Sequence, residues 1–287
     1  MSIKVENLTH TYMPGTPFQA TAIKDVSFEI QQGEFVGIIG HTGSGKSTLI
    51  QHLNGLLKPD SGTVTVDGLT TTGEKSELKQ IRRKVGLVFQ YPEYQLFEET
   101  VEKDVGYGPG NMGFSEEEKA RCVREAIEAV GLDYEAIKDQ SPFDLSGGQK
   151  RRVAIAGILA MNPDIIVFDE PTAGLDPSGR ELLFEKISYI QREMNKTVIL
   201  ISHSMDDVAR LAHRLLVMEE GQLIFDGTPA EVFANREISR RLDKPQLTSI
   251  AEKLNATGKF CIPDGIFEVE AMAKAIADCL KGENNDQ

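Results

Sequence analysis

A glycine-rich loop at residues 40–47 constrains the fold of this chain more than any other feature. It reads Gly-His-Thr-Gly-Ser-Gly-Lys-Ser and fits the phosphate-loop pattern G-x-x-x-x-G-K-[ST]. The apolar run from Phe35 to Ile39 precedes the loop, and residues 47–57 follow it with leucine and isoleucine at helical spacing. Because the motif requires a buried strand before the loop and a helix after it, the sequence predicts a nucleotide-binding α/β fold.

The residue types of this loop suit the phosphates of ATP. Glycines let backbone N–H groups approach phosphate oxygens closely, and the N-terminus of the following helix adds partial positive charge. We expect Lys46 to reach the β and γ phosphates and the Ser47 hydroxyl to ligate Mg²⁺. The alternative is an ordinary glycine turn before a helix, which the flanking strand and helix disfavour. The expected ATP contacts from the loop are Gly40, His41, Thr42, Gly43, Ser44, Gly45, Lys46, Ser47 and Thr48.

Charge and composition exclude several classes of function. The 287-residue chain has a formal net charge of −13, which opposes binding to nucleic acid and to anionic lipid but allows a basic protein partner at the membrane. No apolar stretch approaches the roughly 18 residues of a membrane helix, and the N-terminal residues lack a signal-peptide core. The three cysteines show no paired spacing, as is typical of a reducing compartment. We therefore expect a cytoplasmic protein with no nucleic-acid partner.

Alternating strand and helix patterns predict a mostly parallel α/β core with an antiparallel portion near the N-terminus. From residue 90 to residue 160 the strand rhythm is interrupted, which indicates an inserted helical subdomain. Between residues 90 and 113 the periodicity is weak, and Ser115 with Glu118 then forms a capping box that opens a helix. Strand patterns occur at residues 3–8, 22–30, 63–66, 85–89, 165–168, 197–201, 215–218 and 222–225. Helical patterns occur at residues 77–84, 115–130, 149–160, 177–194 and 205–212, and after Thr228.

A second phosphate cradle stands at residues 145–149, which read Leu-Ser-Gly-Gly-Gln immediately before a helical pattern. It offers a serine hydroxyl, two permissive glycines and a helix N-terminus; an ordinary glycine turn is the alternative. One nucleotide has one γ-phosphate. Two cradles therefore mean either that two nucleotides bind each chain or that one nucleotide is shared between chains.

These two motifs, together with the run Ile165 to Phe168 that ends in Asp169 and Glu170, resemble an ABC-transporter ATPase subunit. The resemblance covers about residues 3–233 and implies a nucleotide-binding domain at residues 1–233, with its helical subdomain at about 91–160. In that family two subunits meet head to tail, and the signature sequence of one closes on the ATP held by the other. The resemblance thus implies a shared nucleotide, with ATP and Mg²⁺ as cofactors. The signature residues here are Ser146, Gly147, Gly148 and Gln149.

Catalytic roles can be placed on matching positions by this resemblance. Glu170 resembles the carboxylate that polarises the attacking water, and His203 resembles the switch histidine that reaches the γ-phosphate. Gln90, which follows a predicted strand, resembles the glutamine that contacts Mg²⁺ and senses the γ-phosphate. Lys46 completes the expected catalytic set. For Glu170 and His203 the alternative is a purely structural role, although a carboxylate at the end of a buried run is costly without a function.

The same resemblance gives three further roles. Tyr12 lies where an aromatic ring stacks on adenine, with a surface strand aromatic as the alternative. Asp169 resembles the acid that holds Mg²⁺, so the expected metal contacts are Ser47, Gln90 and Asp169. Residues 174–176, Gly-Leu-Asp, resemble the loop that crosses the dimer interface.

The stretch at residues 91–105 combines aromatic side chains with five acids and one base. One interpretation is a solvated loop before a helix. The other is a groove whose aromatics grip a partner helix and whose acids meet its arginines. The expected contacts to this partner are Tyr91, Tyr94, Leu96, Phe97, Glu98 and Glu99.

The amino-acid sequence of this stretch and of residues 106–113 closely resembles that of the ATPases of energy-coupling factor (ECF) transporters. These transporters take up vitamins and some transition-metal ions. The resemblance implies a peripheral protein on the cytoplasmic face of the cell membrane. Its partners would be a second ATPase, a transmembrane coupling protein with arginine-bearing helices and a membrane substrate-binding protein. Residues 40–43 and 51–57 look most like the second of the two ATPase types, and Lys150 departs from that type, which often carries Met. The alternatives are an ATPase of another importer class and a soluble, non-transport ABC protein.

Residues 234–287 are expected to form a C-terminal helical extension. Leu247, Ile250, Ala251 and Leu254 form one apolar helical stripe, and a second runs from Val269 to Leu280. About 50 residues do not easily build a stable core alone, so the stripes are expected to pack on the main domain or on a second subunit. The family resemblance favours an ATPase–ATPase contact. Residues 282–287 are expected to be disordered.

Overall fold

The computed structural model describes residues 2–283, and its strands form two sheets. In chain order the strands are β1 (Ile3–Tyr12), β2 (Ala20–Ile30), β3 (Phe35–Ile39), β4 (Ser61–Val66), β5 (Leu69–Thr70), β6 (Val85–Val88), β7 (Ile165–Asp169), β8 (Thr197–Ile201), β9 (Arg214–Glu219) and β10 (Gln222–Gly227).

Helices connect and cover these strands. In chain order they are α1 (Lys46–Leu53), α2 (Lys75–Lys84), α3 (Val101–Met112), α4 (Glu116–Ala129), α5 (Tyr134–Ile137), α6 (Gly147–Leu159), α7 (Pro177–Arg192), α8 (Met205–Leu211), α9 (Pro229–Ala234), α10 (Arg236–Ser239), α11 (Gln246–Asn255) and α12 (Val269–Glu283), with 3₁₀ turns at Pro92–Gln95 and Pro142–Asp144.

The larger sheet has the strand order β10-β9-β3-β8-β7-β6, and only its β9–β10 pair is antiparallel. The smaller sheet, β2-β1-β4-β5, is antiparallel throughout. The expected α/β core with an antiparallel portion is confirmed. The carboxyl ends of β3, β7 and β8 lie at one edge of the parallel sheet, where ligands bind in such folds.

Strands β3, β7 and β8 are buried at every position. A parallel sheet covered on both faces favours continuous apolar runs over alternation, which is why these segments were readable from sequence. Successive side chains point to opposite faces. In β7 this places Val167 in the core shared with the antiparallel sheet and Phe168 in the core beneath the helical subdomain.

The helical subdomain contains two helices that the sequence pattern did not reveal, α3 and the short α5. Helix α3 lies in the stretch of weak periodicity and contains Pro109 and three glycines. Thr100 caps it by accepting a hydrogen bond from the Lys103 amide. A Cβ at Gly108 would lie 2.8 Å from the Met161 side chain, so a glycine there lets α3 pack closely against the segment after α6. The predicted capping box of Ser115 and Glu118 is present at α4.

The C-terminal extension packs largely on itself. The sequence had instead predicted that its apolar stripes pack on the main domain or on a second subunit. Helices α11 and α12 share a small core around Ala251, Ile262 and Met272. Contact with the main domain includes an edge-to-face pair of Phe233 and Phe267, with ring centroids 5.9 Å apart. Expected disorder is wrong for residues 282 and 283, which end α12, and otherwise falls on residues outside the described range. None of the described helices is long and apolar enough to span a bilayer.

Candidate active site

A cavity of about 300 Å³ opens at the carboxyl edge of the parallel sheet. The loop after β3, the end of β7 and the residue pair after β8 converge there because these strands are neighbours with aligned ends. Most of the predicted nucleotide contacts therefore come together. The lining residues are Ala22, Thr42, Gly43, Gly45, Lys46, Ser47, Thr48, Glu170 and His203.

The loop at residues 40–45 can take its shape only with glycine at key positions. Gly40 has a φ of 145°, and a Cβ there would lie 2.1 Å from the carbonyl oxygen of Met218. Gly45 has a φ of 99° and a Cβ would lie 2.4 Å from the carbonyl oxygen of Ala22. Helix α1 begins directly after Gly45, and no described side chain caps its N-terminus. Its first N–H groups are thus available to an anion.

Lys46 is buried beneath this loop, with 5% of its surface exposed. Its ammonium donates to the carbonyl oxygens of Gly40 at 2.7 Å and His41 at 2.8 Å. Burial lowers the pKa of Lys46, and the charges of Glu170 and Asp169 oppose that shift. A phosphate bound in the cavity would place a negative charge beside this buried ammonium and favour the charged form of Lys46.

Asp169 ends strand β7 and is 8% exposed. Burial raises the pKa of Asp169, and the charge of Glu170 raises it further, while a hydrogen bond with Ser47 lowers it. Two adjacent carboxyl groups beside a serine hydroxyl are oxygen ligands of the type that Mg²⁺ prefers, and a divalent cation would relieve their repulsion. The residues present therefore fit a magnesium ion.

Glu170 is held between two other predicted site residues. Its Oε2 accepts a hydrogen bond from Gln90 Nε2 at 3.2 Å, and its Oε1 lies 2.6 Å from His203 Nε2. The backbone of Glu170 has a φ of 49°, in the left-handed region, and its amide donates to the carbonyl oxygen of Ile201 at 3.0 Å. Strain of this kind persists where surrounding structure imposes it, often at functional sites. The structure thus brings Gln90, Glu170 and His203 together.

Tyr12 lies at the end of β1 and is 40% exposed. Its hydroxyl lies 3.2 Å from Thr48 Oγ1, next to the phosphate loop. Its ring packs edge-to-face on His10, with centroids 4.7 Å apart. One end of this aromatic is therefore fixed to helix α1 while part of its surface stays open.

The signature residues form a second site away from this cavity. Ser146 caps α6: its hydroxyl accepts from the Gln149 amide at 3.4 Å, and Gln149 Oε1 accepts from the Ser146 amide at 3.0 Å. Apart from the neighbouring residues and the backbone of α6 itself, no described atom lies within 4 Å of a Cβ placed at Gly147 or Gly148. Among the described residues that line the nucleotide cavity, none belongs to the signature.

The predicted partner-binding stretch borders an apolar groove of about 350 Å³. Phe97 and Tyr107 pack edge-to-face at its rim and are 56% and 51% exposed. Leu96 lines the groove but is 7% exposed, while Tyr94 is 83% exposed and lies outside the lining. Asp104 fixes the turn by accepting from the amides of Phe97 and Glu98 at 2.8 and 2.9 Å. Glu99 is engaged by Lys103 at 2.7 Å.

One buried charged residue, Arg151, was not among the residues predicted from the sequence. Arg151 on α6 is 3% exposed and binds Glu93 through two nitrogens, at 2.6 and 2.9 Å. The signal was present, because Arg151 shares a buried helix face with Ile155 and Leu159, where an unpaired charge is costly. Its partner, 58 positions earlier in the chain, could not be identified from spacing.

Comparison with known proteins shows similarity along the whole chain. A family model described as "ABC transporter" matches residues 23–173. The energy-coupling factor transporter ATP-binding protein EcfA2 of Clostridium perfringens (strain 13 / Type A) is 54% identical, over 99% of this chain and 100% of its own length. The protein of the same name from Clostridium tetani (strain Massachusetts / E88) is 55% identical, over 99% and 98%.

Solved structures that align with this chain are also ABC transporter proteins. The structure of cbiO1 from Clostridium perfringens, described as part of the ABC transporter complex cbiONQ, aligns with a TM-score of 0.74 at 38% identity, covering 89% of this chain and 96% of its own. A dimeric structure of the ATP-binding cassette MJ0796, described as a post-hydrolysis state bound to ADP and Pi, aligns with a TM-score of 0.70 at 35% identity, covering 79% and 98%.

Proposed function

Because this chain belongs to the ABC transporter family and is an ATP-hydrolysing subunit of the ECF type, we propose that it powers the uptake of vitamins or transition-metal ions. It works as a peripheral subunit on the cytoplasmic face of the membrane. Its partners are a second ATPase, a transmembrane coupling protein and a membrane protein that binds the substrate. The names of its relatives and the aromatic groove beside the site support this proposal.

The observation that carries the proposed chemistry is Glu170 at the mouth of the phosphate-loop cavity, bridged to Gln90 and His203. ATP lies with its phosphates on the loop and its adenine against Tyr12. Glu170 orients a water molecule for in-line attack on the γ-phosphate. A new bond forms between phosphorus and the water oxygen as the bond to the leaving ADP oxygen breaks, and His203 contacts the transferring group. Such catalysis is mainly positioning and stabilisation of charge.

Asp169, Ser47 and Gln90 are the residues that hold Mg²⁺ in this proposal. Mg²⁺ keeps several waters and binds through one or two protein oxygens plus phosphate oxygens, so a complete protein cage is not needed. When bound, the ion neutralises negative charge on the phosphates. Lys46 contributes charge from below the loop, where burial strengthens its interaction with an anion.

Each nucleotide site is completed by another subunit. The cavity contains no signature residue among those described, and no described residue outside the α6 region crowds Gly147 or Gly148. We place Ser146, Gly147, Gly148 and Gln149 on the ATP held by a second ATPase, with residues 174–176 at the interface between the two. The dimeric form of a 35% identical cassette supports this arrangement.

The groove at residues 95–112 is the proposed binding site for the transmembrane coupling protein. Phe97 and Tyr107 offer exposed aromatic surface, and Tyr91 and Tyr94 lie beside it with ring centroids 6.0 Å apart. Aromatic side chains of this kind commonly anchor protein interfaces. The half-buried Glu98 and the exposed Glu99, on a chain of net charge −13, favour a partner with arginines.

Substitution Glu170→Gln tests the catalytic assignment. The amide keeps the shape but cannot polarise water, so we expect ATP to bind and hydrolysis by the purified transporter complex to fall at least about 100-fold. Hydrolysis is followed by phosphate release and binding by equilibrium dialysis with radiolabelled ATP. Glu181→Gln, on the surface of α7 and paired with Arg210 at 3.0 Å, is the matched control and should keep normal turnover. Near-normal turnover in Glu170→Gln would remove Glu170 from the mechanism.

A further inference from the structure

Arg151 connects three segments that the proposed mechanism uses separately. It lies on α6, one turn after the signature glycines. Its Nε and Nη2 atoms bind the two carboxylate oxygens of Glu93, in the 3₁₀ turn that follows Gln90. Its Nη1 donates to the carbonyl oxygens of Pro171 at 3.0 Å and Ala173 at 2.8 Å, directly after Glu170. We call this set of contacts the Arg151 tie.

The geometry of the tie makes it stiff. A guanidinium is planar and presents its donors in a fixed fork, so it cannot exchange partners without losing several hydrogen bonds together. Arg151 is 3% exposed, and the Glu93 side chain is 15% exposed, so water cannot readily replace these bonds. Burial raises the pKa of Glu93, but the hydrogen bonds from Arg151, a backbone hydrogen bond and the charge of Arg151 together outweigh it and hold that pKa below its usual value. The carboxylate therefore stays charged and the pair stays closed.

The tie is also independent of the Gln90 contact to Glu170. Gln90 donates to the Glu170 side chain, whereas Arg151 donates to the backbone carbonyl oxygens of Pro171 and Ala173 in the segment after Glu170. A shift of α6 would thus move residues 171–173 even if Gln90 were absent. The same shift would move Glu93, which lies two residues before Gln95 in the groove lining.

We propose that Arg151 is a positioning residue that makes the signature turn, the Glu93 segment and the loop after Glu170 move as one body. The signature then serves the partner's nucleotide while the loop serves this chain's own nucleotide, so the tie couples the two ATP sites within one chain. This inference rests on the proposed function. Arg151 touches no reacting atom, and it acts through the backbone that carries Glu170.

The test is hydrogen–deuterium exchange of the full chain with and without magnesium adenylyl imidodiphosphate, at a concentration where light scattering shows a monomer. In the unmodified chain the nucleotide slows amide exchange at residues 40–50 and changes it at residues 146–152 by about twofold or more. In Arg151→Lys the slowing at residues 40–50 persists, while the change at residues 146–152 is lost. Lysine keeps the charge but cannot make the fork. Glu93→Gln gives the same loss and serves as a second variant if Arg151→Lys does not fold.

A comparison variant sharpens the result. Arg214→Lys breaks another forked pair, with Asp226 at 2.6 Å, at the opposite end of β3 from the phosphate loop, and keeps both responses. Loss of the response at residues 146–152 in Arg214→Lys, or its persistence in Arg151→Lys, overturns the proposal.

The remaining outcomes separate this proposal from the proposed function. Loss of both responses in Arg151→Lys makes the residue a support of the fold and overturns the positioning role. Slowed exchange at residues 40–50 without any change at 146–152 in the unmodified chain overturns the coupling but leaves ATP binding intact. No slowing at residues 40–50 in the unmodified chain removes the nucleotide site itself, and both proposals fall.

Discussion

Lys46 illustrates how burial prepares one residue for an anionic ligand. Its ammonium satisfies two backbone carbonyls of the loop, at 2.7 and 2.8 Å, and is shielded from water. Charge without solvation is unfavourable, so the pKa of Lys46 is lowered. Nucleotide phosphates favour the charged amine, and their arrival should raise that pKa again.

The sign of this shift gives a pH prediction. Above the lowered pKa of Lys46 the amine is neutral without nucleotide, so binding requires proton uptake and weakens as pH rises through that lowered pKa toward 10.5, the ordinary value of a lysine. Titration calorimetry with magnesium adenylyl imidodiphosphate in buffers of different ionisation enthalpy measures this uptake. Lys46→Arg is the control, because a guanidinium stays protonated throughout and should remove the uptake. An affinity of the unmodified chain that is constant with pH, without proton uptake, contradicts the prediction.

The elements show what sequence patterns can and cannot predict. The bounds of β3 and β8 match the predicted strands, since a strand buried on both faces reads as a nearly continuous apolar run. Helix α3 was missed because glycines and Pro109 oppose helix locally, while packing against α6 and its C-terminal loop stabilises it. Local rules fail where a distant surface supplies the stabilisation.

Some features of the candidate active site could likewise be predicted from the sequence, and others could not. Asp169 and Glu170 were predicted because they stand at the end of a buried strand, and Lys46 because it closes the phosphate-loop motif after another; the sheet fixes where the ends of these strands meet. The pairing of Glu93 with Arg151 was not predicted, since it depends on how the helical subdomain folds back onto the sheet edge. The self-packing of α11 and α12 was missed for a similar reason: the loop residue Ile262 completes their small core.

Two helices with the same cap offer an element-scale prediction. Ser115 caps α4 and Ser146 caps α6, each in a capping box with the residue three positions later. Removing either hydroxyl leaves a helix N-terminus less satisfied, so Ser115→Ala and Ser146→Ala should each lower the free energy of unfolding by about 1 kcal/mol. Urea denaturation measures this loss.

Only the second of these substitutions should affect hydrolysis. If Ser146 also contacts the nucleotide of a partner subunit, Ser146→Ala slows phosphate release by the purified transporter complex about 10-fold or more, while Ser115→Ala leaves it unchanged. Equal turnover in the two variants would mean that the Ser146 hydroxyl serves the helix alone.

At the scale of the whole molecule, the extension buries its core and still exposes apolar surface. Met272 is 3% exposed, yet Ile250 is 43%, Val269 66% and Leu280 47% exposed. Single exposed apolar side chains are common on monomers. Three of them on a two-helix unit that already has its own core fit the proposed contact with a second ATPase.

Substitution Leu280→Glu tests that contact. The new charge would be buried against the second ATPase without a partner, so association in magnesium adenylyl imidodiphosphate should weaken about 10-fold or more. Sedimentation velocity measures it for the chain alone and mixed with the second ATPase of the transporter. The melting temperature should stay near that of the unmodified chain, because Leu280 is exposed, whereas Met272→Glu should unfold the extension. Leu182→Glu, at a 38% exposed leucine on α7, controls for added charge and should not change association. Unchanged association in Leu280→Glu would mean that this part of α12 lies outside the ATPase–ATPase contact.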